Sequence, residues 1–314
     1  MPMRDVVTPF DAFWRTAKVQ DDATRVRRFK AEVVPAFPEF YAYRFALWSR
    51  RGKDVDAEVA QHLRAFEAFE SRYAAVESTV RRTLQAAAME FRRTFQDFRP
   101  SAQIVLLNSL GEMDGGTRSI GHRSYLLFGL DGIAKYQPDG DRRSFFFHEF
   151  FHVYHDDVRG RDRSKEDSLE EMTKTTADPL YISLWEEGLA TYVSEWLHPG
   201  ASKEELSLST PENLISETEK NLAYLANDFA SKLDSHDVVD YEAYFTSGSN
   251  DPRRPKHAGY YLGYLVAKKL QARVQMPVLV RLDGAPLRRE IAIALSELAT
   301  ASSPGSKGSV SSSQ

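Results

Sequence analysis

Five residues, His148-Glu149-Phe150-Phe151-His152, constrain this chain more than any other stretch. They lie within Ser144 to Tyr154, a run with few helix breakers that is apolar nearly all round and therefore predicts a buried helix. Four residues advance an α-helix by about 400°, so both imidazoles point the same way, one turn apart. Two nitrogen donors are thereby preset. Glu149 lies about 100° round the axis, near enough to serve what the histidines hold without joining them as a ligand. Two histidines and a glutamate buried without partners would cost several kcal/mol, and a metal ion shared by the histidines is one way to meet that cost.

The chain has no cysteine, so a metal would have to be held by His, Asp or Glu. A catalytic zinc site takes three protein ligands and leaves its fourth position to water. The third is sought downstream, in Leu184-Trp185-Glu186-Glu187-Gly188-Leu189-Ala190, where two carboxylates stand in a second mostly apolar helical run, Tyr181 to Leu197. Glu149 then occupies the position of a general base. His155, three residues after His152, is a weaker candidate ligand.

Around these segments the chain predicts an α+β protein that is mostly helical. Apolar residues recur every three or four positions over 58 to 98, from Val59 through Leu63, Tyr73, Val80 and Leu84 to Phe95, which predicts one long amphipathic helix or two stacked ones. Residues 9 to 49 also read as helical, broken at Pro35 and Pro38. Residues 1–100 are therefore expected to form a helical lobe and 101–300 the domain that carries the chemistry. Ala102 to Leu107 and Ser124 to Phe128 read as strands of a small sheet, with a glycine-punctuated loop between them. The polar run 157 to 178 reads as an exposed loop or cover, and further helices are expected at 211–233, opening at Thr210-Pro211, and at 258–273 and 286–299. The serine-rich stretch 301–314 is expected to be disordered.

The histidine pair together with a Glu-Gly pair on a second helix resembles the gluzincin metallopeptidases. In the aminopeptidase N family the third ligand is the Glu immediately before Gly, which maps onto Glu187. The match is closer to bacterial proteins described as predicted zinc-dependent proteases, over roughly residues 101 to 275. The resemblance implies a zincin-like catalytic domain with an active-site helix, one Zn2+ per chain on His148, His152 and Glu187, and hydrolysis of peptide bonds with Glu149 as general base. Thr191 stands where the thermolysin pattern has Asp, and the stretch between the two helices is longer than in the aminopeptidases. Gly111-Glu112-Met113-Asp114-Gly115-Gly116 weakly resembles a substrate strand of those enzymes, and it also reads as an ordinary glycine turn. In His257-Ala258-Gly259-Tyr260-Tyr261-Leu262-Gly263-Tyr264 the glycines four apart permit close helix approach, while Tyr260, then His257, then Tyr261 are candidate donors to a developing oxyanion.

A formal net charge of -4 offers no field for nucleic acid. No window approaches the roughly 18 apolar residues of a spanning helix, and the first residues lack the apolar core of a signal peptide. The chain as written reads as cytoplasmic, or as periplasmic or secreted if a signal peptide has been removed. Its expected partner is a peptide or protein substrate. Two other readings stay open: a zinc hydrolase of a non-protein amide such as a cell-wall peptide, and a non-catalytic binding protein on a degenerate zincin scaffold.

Overall fold

The computed structural model describes residues 3–161, 176, 178–246 and 248–301. These are mostly helical with one small mixed sheet, and they fall into two compact units, residues 1–169 and 170–314. The cover expected over 157–178 lies mostly outside the described residues, as does the tail from 302 onward. Among the described residues no helix is long and apolar enough to cross a membrane.

The first unit opens with strand β1 (Met3–Asp5) and the helices α1 (Val7–Ala17), α2 (Asp22–Glu32), α3 (Pro38–Arg50), α4 (Val55–Phe66) and α5 (Glu70–Thr94). Local chemistry sets their starts. The Asp21 and Asp54 side chains accept from the amides of Thr24 and Ala57, at 2.9 and 2.8 Å, and Pro38 supplies the first turn of α3. The 58–98 pattern resolves into α4, a 3-10 turn at Glu67–Phe69, and α5, whose buried stripe runs Tyr73, Val76, Val80, Leu84, Ala87 and Phe91. Strands β2 (Gln103–Leu107), β3 (Gly115–Ile120) and β4 (Arg123–Gly129) follow, then α6 (Leu130–Tyr136) and α7 (Arg143–Arg159).

The sheet order is β1-β2-β4-β3, with β1 and β4 parallel to β2 and β3 antiparallel to β4. The hairpin between β3 and β4 turns on Gly121 and His122, both at positive φ, in register with Ile120 opposite Arg123. Three elements here were not expected. β1 and α6 are short, and β3 begins in the glycine-rich stretch read as a loop. Its pairing with β4 makes it a strand despite the low strand preference of Gly115 and Gly116.

The first hundred residues do not form a lobe of their own. Met3 pairs with Ile104, the Tyr41 hydroxyl donates to the Asn108 carbonyl at 2.9 Å, and Arg44 pairs with Glu112 at 2.6 Å. The expected boundary at residue 100 is thus corrected, because the early helices cover the sheet and share its core. α7 is packed between α5 and β4: Phe150 meets Phe91 at 5.8 Å and Phe98 at 5.9 Å, and Phe146 meets Phe128 at 5.5 Å between ring centres. It runs past the expected end at Tyr154 to Arg159 and closes at Gly160 in the left-handed conformation.

The second unit comprises α8 (Leu180–Leu197), α9 (Leu214–Lys220), α10 (Leu222–Ala230), α11 (Val238–Phe245), α12 (Ala258–Gln271), α13 (Met276–Leu279) and α14 (Gly284–Ala301). The helix expected from Thr210-Pro211 begins later, because the chain first makes a turn in which the Leu214 amide donates to the Pro211 carbonyl at 2.9 Å. α8 and α12 cross at glycines. A Cβ on Gly188 would lie 2.1 Å from the carbonyl carbon of Gly263, while Gly259 is filled by the Phe245 ring.

Candidate metal centre

α7 carries the histidine pair as the spacing requires. The Nε2 atoms of His148 and His152 lie 2.9 Å apart, with ring centres at 4.6 Å and planes at 77°. Two nitrogens at about 2.1 Å from one tetrahedral ion stand about 3.4 Å apart, so the pair converges on a shared point with little adjustment. Both rings are half-buried, which leaves a way in, while Phe150 and Phe151 on the same helix are fully buried and hold it in the core.

Glu149 is buried, at 9% exposure. The start of β3 presses on it: a Cβ on Gly115 would lie 2.7 Å from Cζ of Phe145 and 2.9 Å from both Cγ and Cδ of Glu149. β3 is held there by the loop before it. Asp131 accepts from the amides of Ser109 and Gly111, each at 2.7 Å, and from the Ser109 hydroxyl at 3.1 Å. The Met113 carbonyl nests against Gly129 and Gly132, where a Cβ would approach to 2.3 and 2.1 Å. Asp114 accepts from the Gln137 amide at 2.7 Å. The stretch 111–116 is a glycine turn followed by the first residues of the edge strand β3.

Glu187 is a half-buried residue of α8, beside the Gly188 that meets α12. Its neighbour Glu186 is buried. His148, His152 and Glu187 form a group in which each offers one ligand atom, all within 4.8 Å of one another, and the three could hold a metal ion. The donor set, two imidazoles and a carboxylate, suits zinc chemistry. His155 is outside this group: it is buried and stacks on Phe151 at 5.2 Å between ring centres.

In the second unit, His257 adopts the left-handed conformation directly before α12 and stacks on Tyr260 at 5.9 Å. Burial lowers its pKa, which favours the neutral ring. Tyr260 also meets the Phe245 ring edge-on at 5.8 Å. Tyr261 is committed elsewhere, donating to Glu219 at 2.7 Å, and burial raises its hydroxyl pKa. Sequence reasoning missed Gly115 and Asp131 as parts of the site's framework. The glycine pair 115–116 was the available signal, whereas Asp131 offered none, because its role depends on a fold that returns it to Ser109.

Comparison with models of known protein families, with curated proteins and with solved structures finds no match to this chain.

Proposed function

We propose that this protein is a zinc-dependent hydrolase of peptide bonds of the gluzincin kind, with His148, His152 and Glu187 as ligands and Glu149 as general base. The observation that carries the reading is the group of three ligand-capable side chains, two of them preset on one buried helix beside a buried carboxylate. Zinc in such a set supplies Lewis acidity, polarising a carbonyl and making water more acidic. Glu149 takes the proton of the attacking water and returns it to the departing nitrogen. The packed aromatics on α7 keep that carboxylate and both imidazoles from wandering. β3 is an edge strand, and its backbone groups are ones with which an extended peptide can pair. Tyr260, with His257 stacked on it, is the proposed donor to the oxyanion.

Elemental analysis of purified protein tests this reading. Wild type is expected to hold about one zinc per chain, with His148→Ala, His152→Ala and Glu187→Gln each losing it. Glu149→Gln is expected to keep the metal and lose about 10²–10⁴-fold in turnover on a pooled peptide library. Wild type free of zinc after dialysis against it, or zinc retained by all three ligand variants, would sink the proposal.

A further inference from the structure

We infer that Gly115 is a positioning residue for Glu149: the edge strand has a glycine there so that its backbone can lie against the carboxylate and limit where it points. The inference rests on the proposed role of Glu149. Its structural basis does not, because the contact is intrinsic to the first unit.

Glycine at 115 is not explained by backbone conformation. Gly111, Gly116 and Gly121 all adopt positive φ, where side chains are rarely tolerated, whereas Gly115 does not. Space is the constraint. A Cβ at 115 would fall 2.9 Å from two atoms of Glu149 and 2.7 Å from the tip of the Phe145 ring. Phe145 and Glu149 stand one turn apart on α7, so one methyl group would strike two successive turns of that helix. The Phe145 ring cannot yield easily, being packed against Phe128 and Phe146 at 5.9 and 5.4 Å between centres. Cγ and Cδ of Glu149 are carried together by rotation about χ1, and this side chain is the partner that gives way. Strand β3 in turn has little room to retreat: Gly115 is in register with Phe128 on β4, its amide donates to Asp114 at 2.9 Å, and the preceding loop is tied down through Asp131. A methyl at 115 therefore redirects the Glu149 carboxylate while His148 and His152, which are not among its nearest neighbours, keep their places.

The test uses the full-length zinc-loaded protein and the variants Gly115→Ala, Glu149→Gln, their combination, and Gly115→Ala with Phe145→Leu. Gly115→Ala is expected to bind zinc as wild type does and to lose about 100-fold in kcat on the pooled peptide library, with KM little changed. In the Glu149→Gln background it should cost nothing further, because the group it acts through is already gone. Activity near wild type in Gly115→Ala, or an equal loss in both backgrounds, overturns the inference. If Gly115→Ala does not fold, the Phe145→Leu combination removes the ring contact and leaves only the Glu149 contact, with the same expectations. Failure of both to fold makes Gly115 a packing requirement and also overturns it. Should wild type bind zinc and cleave nothing, the proposed function fails and crystal structures decide the inference: a Glu149 carboxyl displaced by about 1 Å or more in Gly115→Ala supports it, and an unmoved one refutes it.

Discussion

Gly188 and Gly263 stand backbone to backbone where α8 and α12 cross, so close that neither has room for a methyl group. The residue before Gly188 is the proposed ligand Glu187, so helix packing and ligand placement are linked at this crossing. Gly188→Ala must push the helices apart, and overpacking of this kind costs about 1–3 kcal/mol. Urea unfolding should show that loss, and zinc affinity should fall with it because Glu187 moves with its helix. Unchanged stability would mean that the crossing is looser than it stands here.

Asp131 makes a prediction about the loop before β3. Its buried carboxylate takes three hydrogen bonds from Ser109 and Gly111, and Asp131→Ala leaves those donors without their acceptor. The cost is about 1–3 kcal/mol in urea unfolding. Amide exchange should quicken at Ser109 and Gly111 first. Exchange that stays slow at both would show that the loop is held by other contacts.

Stability should also vary with pH through Asp11. Burial raises its pKa to about 6, outweighing the hydrogen bond it accepts from the Tyr73 hydroxyl at 3.2 Å. An unfolded aspartate ionises at about 3.9. Between those values the unfolded chain has lost a proton that the folded chain keeps, so Asp11 makes stability fall as pH rises from about 4 to 6. The side chain is half-buried, so solvent screening reduces the effect to about 1 kcal/mol. Asp11→Asn still offers Tyr73 an acceptor and should lose that part of the decline when urea unfolding is compared at pH 4 and pH 7. A decline as steep as in wild type would exonerate Asp11.

The two neighbouring tyrosines of α12 should behave differently. Tyr261→Phe removes a donor to Glu219 and is expected to cost about 1 kcal/mol of stability with kcat preserved. Tyr260→Phe keeps the ring that stacks on His257 and is expected to lose about 100-fold in kcat. Melting curves with steady-state kinetics check both, and the reverse pattern would move the donor role to Tyr261.

The features that were legible before folding are those whose logic is local. A four-residue spacing on a helix brings two imidazoles together wherever that helix is placed, and a run apolar on all sides has to be buried. The amphipathic period over 58–98 likewise becomes α4 and α5, and the β-branched run before Leu107 becomes β2. The rest depends on residues far apart in the chain and emerges only when they are packed together. Gly115 and Gly116 carry no strand preference, and only pairing with β4 makes them one. Three residues at Met3–Asp5 cannot announce a strand without β2 beside them. The early helices join the sheet because Tyr41 and Arg44 find partners at Asn108 and Glu112, contacts that no local pattern records. Gly115 reads as a turn residue in sequence, and its place against Glu149 exists only because the strand pairing and the burial of α7 are satisfied together.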